Sequence, residues 1–186
     1  MAFVIEYEGN LMTMIEKLIN YDRWASAEGV WADLPFFLRF RTPILEPSEI
    51  GSHIHRVDIL WPYAELNTGI PPSHEDSEAM DIFENRLVET LESNVTAVLT
   101  AVLIFDGARE WIFYTNDIEE CVRLINEMPQ DAEPYPIEVT TVKDEKWSFL
   151  RDKILGVSDY KKYQEEWRAA FMCKMAESSS TPYGLK

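Results

Sequence analysis

Residues 95–115 read VTAVLTAVLIF, then Asp106-Gly107, then AREWIFYT, and no other stretch restricts the fold as strongly. The first segment is an almost unbroken run of apolar and β-branched residues, the pattern of an interior strand covered on both faces. Asp-Gly between two strand patterns is a strong short-range hairpin signal, because a type I′ turn needs positive φ at both central residues. The return strand alternates. Trp111 and Phe113 fall on one face, and Glu110, Ile112 and Tyr114 on the other. A chain containing this hairpin is committed to an antiparallel sheet with a substantial apolar face.

The flanking segments supply what such a sheet requires. HIHRVDILW (53–61) reads as a strand over 54–62, and YPIEVTTV (135–142) as a last strand over 136–142. Between the first strand and the hairpin, Ser73 is an N-cap with Glu75 and Asp76 in the first turn. Met80, Phe83, Leu87 and Leu91 then recur at helical spacing, which predicts a helix over 74–93. Ile118, Cys121, Val122 and Ile125 predict a second helix over 117–128, ended by Pro129. The order β-α-β-β-α-β is the split βαβ, or ferredoxin-like, arrangement: an α+β fold with both helices on one face of an antiparallel sheet.

Around that core the sequence predicts additions. FVIEY (3–7) is a short strand, and a helix capped by Asn10 carries Leu11, Met14, Ile15, Leu18 and Ile19 on one stripe. Residues 21–35, with Gly29 and Pro35, read as loop, and FFLRFR (36–41) as a strand. Trp147, Leu150 and Ile154 mark a helix stopping at Gly156. A last helix runs from Ser158 to Ala176 with Tyr160, Tyr163, Trp167, Ala170 and Phe171 on one side. The expected organisation is a single domain over 1–176 and a mobile tail over 177–186. The C-terminal aromatic stripe either packs back on the open sheet face or joins two copies through the 158–176 helix; packing in cis is preferred, because a bare sheet face exposes too much apolar area.

Charge narrows the partners. With 17 Lys+Arg against 33 Asp+Glu the formal net charge is −16. Nucleic acid is bound largely by neutralising phosphates, and anionic membranes attract the same cations, so both are disfavoured. The expected partner is a protein. Two cysteines, no basic n-region and no run of apolar residues long enough to span a bilayer suggest a cytoplasmic protein.

Few residues stand out for chemistry. His53 and His55 lack further ligands at a metal-binding spacing, so no metal and no cofactor is expected. Cys121 falls on an apolar helix face, where a thiol behaves as a small hydrophobe. No phosphate loop or nucleophile elbow is present. The residues that remain are strand-borne: Arg39, Arg41, Arg56, Asp58, Arg109, Glu110, Trp111 and Tyr114. Guanidinium groups suit bidentate carboxylate or phosphate contacts, so these side chains could line an anion-binding or enzymatic pocket, with Glu110, Asp58 or His55 alongside. The competing reading pairs the arginines with the chain's own acids, for example Asp58 or Glu110.

FLRFR, DILWPY…GIP, the acid-rich helix from Glu75, GAREWIFYT and YPIEVTTVKDEKW follow one another in an order that resembles the bacterial domain of unknown function 695 family, over about residues 22–150. Its members lack an established activity, so the resemblance implies no catalytic residue. That family is in turn similar in fold and acidity to regulator of ribonuclease E activity B, a protein that inhibits a nuclease by binding it. Together with the missing motifs, the resemblance favours a non-enzymatic, protein-binding or regulatory module over an enzyme.

Overall fold

The computed structural model describes residues 12–130, 133–154 and 160–179. In chain order the elements are α1 (Met14–Tyr21), β1 (Trp24–Trp31), β2 (Leu34–Arg41), β3 (His55–Pro62), α2 (His74–Glu92), β4 (Ala97–Phe105), β5 (Ala108–Thr115), α3 (Ile118–Glu127), β6 (Glu138–Lys143) and α4 (Tyr160–Ser179). The strands form one six-stranded sheet, ordered β1-β2-β4-β5-β3-β6, and every neighbouring pair is antiparallel. The fold is α+β.

Period-2 alternation divides the sheet's apolar residues between two cores. On one face Val57, Ile59, Leu99, Val102, Trp111 and Phe113 pack with Met80, Phe83, Leu87 and Leu91 of α2 and Cys121 and Ile125 of α3. On the other, Phe40, Val98, Ile112 and Tyr114 pack with Ile15 and Leu18 of α1, with Phe171 of α4, and with Trp147 and Leu150 of the segment between β6 and α4. Helices therefore cover both faces: α2 and α3 share one, as expected for the two core helices, and α1 and α4 take the face expected to receive the C-terminal helix. The apolar second face explains the addition, since a sheet face of this kind is buried against another layer.

Of the apolar stripe of α4, Trp167 and Phe171 are turned inward, whereas Tyr163 is exposed. Trp167 lies edge-on to Phe40 at 5.8 Å, and Phe171 meets Tyr21 at 5.2 Å. Arg168 holds Glu49 through both carboxylate oxygens, at 2.8 and 2.9 Å. This packing occupies the side of the helix that a dimer through 158–176 would bury.

Four other expectations need correction or lie beyond the described residues. The 21–35 segment is not a loop: β1 occupies most of it and forms a hairpin with β2, in register from Trp24↔Arg41 to Trp31↔Leu34. Gly29, taken as a loop signal, sits inside β1 because the Phe36 ring fills its side-chain space; a Cβ there would lie 2.9 Å from that ring. The helix N-cap is Thr13, which makes a capping box with Glu16, whereas Asn10 and the 3–7 strand lie outside the described residues. The 147–154 segment contains a π-helix over Phe149–Ile154, entered through Trp147 at φ 53°. Its indole donates to the His53 carbonyl at 2.7 Å and stacks on Tyr114 at 4.5 Å.

The hidden β1–β2 hairpin turns on Ala32 and Asp33, at φ 50° and 64°. Both are in the left-handed region, which type I′ geometry demands and which disfavours residues other than Gly and Asn. Ala32→Asn combined with Asp33→Gly should raise stability by about 1 kcal/mol and the Tm by roughly 2–4 °C. An unchanged or lower Tm in calorimetry would count against this account of the turn.

Candidate functional site

The strand arginines separate by face. Arg39 and Arg41 of β2 and Arg109 of β5 point toward α2, while Arg56, Asp58 and Glu110 occupy the opposite face. The eight candidate residues thus form two groups rather than one pocket.

In the α2-side group, three acids of the helix meet three arginines of the sheet. Arg109 donates to Asp81 at 2.7 Å and to Glu84 Oε2 at 2.6 Å, and the Trp111 indole donates to that same oxygen at 2.7 Å. Arg39 bonds the other Glu84 oxygen. Deeper, the Arg41 guanidinium reaches both oxygens of Glu92 at 2.8 and 3.1 Å, while its remaining donors reach the carbonyls of Leu18, Ile19 and Leu99. Glu92 also accepts from the Leu99 amide at 2.9 Å. Burial pushes the Glu92 carboxyl above its ordinary range, with Arg41 and the Leu99 amide pulling it back. Trp24 lies against both Arg39 and Arg41, at 5.0 and 4.9 Å from ring centre to guanidinium carbon. A cleft of about 380 Å³ opens here between α2 and β2, lined by Trp24, Arg39, Arg41, Glu84, Glu89 and Glu92 among others. Each of its guanidiniums already engages a carboxylate, and Asp22 and Glu89 add two more acids to the lining, so the cleft is not cationic.

The second group sits on β3 and β5 beside the π-helix. Arg56 donates to Asp58 Oδ2 through Nε and Nη2, at 3.0 and 2.8 Å, and lies over the Phe149 ring at 4.4 Å. Asp58 and Glu110 are diagonal neighbours on adjacent strands, since Asp58 faces Ile112 and Glu110 faces Leu60. Burial raises the carboxyls of both above the usual range, and for Glu110 the nearby Asp58 charge adds to it. The Tyr114 hydroxyl, its pKa raised by burial and by its acceptor, donates to Asp144 at 2.6 Å. Burial works against the Asp144 carboxylate, but bonds from Tyr114 and from the Phe149 and Ser148 amides outweigh it and hold its pKa low. This arrangement ties the π-helix to the sheet.

A carboxyl whose folded pKa lies above its unfolded one loses stability as pH rises through that interval. For Glu110 the loss begins near the ordinary carboxylate value, about 4.3, and is complete above the raised one. Glu110→Gln should therefore have a higher Tm than wild type at pH 8, with the gap closing as pH is lowered toward 4. A Tm difference independent of pH would show that Glu110 is not desolvated by the fold.

The histidines and cysteines carry no comparable site. His53 is buried, its ring bonded to the Val95 carbonyl at 3.0 Å, and burial lowers its pKa. It precedes β3, so it does not pair with His55 on a strand face. Cys121 is buried and its thiol is pushed up to about 12, mainly by burial. Among the described residues no group of three or more His, Cys, Asp or Glu could hold a metal ion, and no helix is long and apolar enough to cross a membrane.

Sequence reasoning missed Asp81, Glu84 and Glu92 as arginine partners. Their signal was present. With Val88 they form a stripe at helical spacing along the flank of the apolar stripe of α2, the side that must lie against the strands. A family model described as a family of unknown function (DUF695) matches residues 22–154. The chain belongs to that family. The DUF695 match includes every ionisable side chain of both groups, whereas α1 and α4 lie outside it. No curated protein and no solved structure matches the chain.

Proposed function

We propose that this DUF695 protein is a non-enzymatic, acidic protein-binding module that receives a basic partner at one end of its sheet. The observation that carries this reading is a concentration of exposed apolar side chains there. Val30 is 71% exposed, Trp31 63%, Leu66 68% and Ile70 54%, although each is a residue type that folding usually buries. They are neighbours. Trp31 stacks on Phe105 at 5.0 Å, and Gly69, between Leu66 and Ile70, abuts Leu34 and Pro35 at the β1–β2 turn. The Asn67 amide bonds Asp106, which joins this loop to the β4–β5 turn. Glu28, Asp33, Glu65 and Asp106 are its sequence neighbours or bonded to it, and Arg39 and Arg109, on the strands that lead to it, are engaged by α2. An exposed apolar patch with a polar rim is the usual anatomy of a protein contact.

Two finer readings accompany it. Strands β3 to β6 with α2 and α3 form a ferredoxin-like unit, to which β1 and β2 add at one edge; the order β6-β3-β5-β4 and the placement of both helices on one face support this. The free thiols of Cys121 and Cys173 and the acidic composition support a cytoplasmic setting.

Photo-crosslinking from position 31 in native cells tests the main reading. The expected result is a reproducible adduct absent when the crosslinker sits at Met172, and at least tenfold weaker binding of the purified adduct partner to Trp31→Asp. Identical adducts from both positions would overturn it.

A further inference from the structure

Among the described residues the outer edge of β1 has no partner strand, because it is the terminal strand of the sheet. Exposed edges are normally protected by Lys, Pro, bulges or charges. The strand WASAEGVW contains no Lys and no Pro, and its ladder with β2 runs without a bulge. Its one charged residue is Glu28. At the other edge of the sheet, β6 has Glu138 and Lys143 at its ends and Pro136 just before it.

The apolar patch lies on both sides of this edge. Val30 pairs with Pro35, and its face also carries Phe37; Trp31 projects to the opposite face, against Phe105 and beside Phe36. A partner resting on one face would leave the other exposed. An added strand, whose side chains alternate, covers both at once.

We propose that an extended segment of a basic partner protein pairs with the outer edge of β1 as a seventh strand, alternating apolar side chains with Lys or Arg. This rests on the protein-binding reading above and specifies its mode. The basic character follows from the rim: Glu28, Asp33 and Glu65 have no ion-pair partner among the described residues, and a second copy of this chain would bring the same acids together. Since Ala32 and Asp33 form a two-residue turn, Trp31 and Leu34 pair with each other, so the free backbone groups of the edge are those of Val30 and Glu28.

The test uses an acetylated, amidated eight-residue peptide of alternating Lys and Val, titrated into the full chain and followed by amide NMR and hydrogen exchange. Saturable, salt-weakened binding should protect the Val30 and Glu28 amides. It should weaken at least tenfold for Glu28→Pro, for Val30→Lys, and for a peptide N-methylated at alternate residues, but less than tenfold for Glu28→Gln, the control for lost charge. The N-methylated peptide keeps the test valid if Glu28→Pro does not fold. Equal binding of the N-methylated peptide with loss in Trp31→Asp would overturn strand addition and leave the protein-binding reading standing. Protection of amides remote from this end, or no binding of the Lys-Val peptide, would overturn the inference, while the crosslinking result judges the broader reading separately. A free-protein dimer in sedimentation that Glu28→Pro dissociates would make the occupant a second copy and overturn the basic partner.

Discussion

Gly107→Ala is expected to lower stability by about 2–3 kcal/mol, and the Tm by roughly 5–10 °C. Two terms act together. Gly107 has φ +79°, in the left-handed region where a Cβ is strained. A Cβ built there would also lie 2.7 Å from the Ala64 carbonyl oxygen, and that obstacle is backbone, which cannot rotate away as the end of a side chain can. The Gly107 carbonyl accepts from the amides of both Tyr63 and Ala64, at 2.8 and 3.0 Å, so relieving the contact pulls the β4–β5 turn off the loop that follows β3. By contrast, Gly51 has φ +61° with nothing within 4 Å of an added Cβ, so Gly51→Ala bears strain alone. Urea denaturation of the two variants separates the terms. If both lose the same stability, the close approach of Ala64 contributes nothing.

The same comparison shows what was legible in the sequence. Asp106-Gly107 announces its turn because the residues themselves supply the conformation the turn needs. Ala32-Asp33 makes the same kind of turn with residues that do not, and β1 went unseen behind it. Gly29 misled for a related reason: the ring that permits it in a strand belongs to Phe36, on the partner strand. Helix α2 and the face assignments of β5 were readable from spacing alone, as Trp111 and Phe113 lie in one core and Ile112 and Tyr114 in the other. Which acid each arginine would meet was not. The stripe of Asp81, Glu84 and Glu92 marks the side of α2 that lies against the strands, but the individual pairings depend on how α2 crosses the sheet, which local sequence does not carry. The acids the sequence offered on neighbouring strand positions were Asp58 and Glu110. Only Asp58 pairs with an arginine, and that arginine, Arg56, is on its own strand.

Arg41→Met should be the most damaging single change among the polar residues, lowering stability by about 3–5 kcal/mol. The argument lies in what it leaves behind. Glu92 is buried under the end of α2, and without Arg41 its charge has the Leu99 amide as a remaining donor. The carbonyls of Leu18 and Ile19 lose the guanidinium too, leaving the Asp22 amide as a donor to Leu18, which loosens the C-terminal end of α1. Arg41→Met with Glu92→Gln removes the stranded charge while leaving an acceptor for Leu99, and should recover more than half of the loss. The sign with pH follows from Glu92, whose folded carboxyl is already held above its ordinary pKa by burial. Its ionisation opposes folding above that raised value and not below the unfolded one, so the deficit of Arg41→Met shrinks as pH falls toward the carboxylate range. A double-mutant cycle in urea at pH 7 and pH 5 measures both effects. If the double variant is no more stable than Arg41→Met, the pair is not coupled, and Arg41 acts through the carbonyls of α1 and β4 instead.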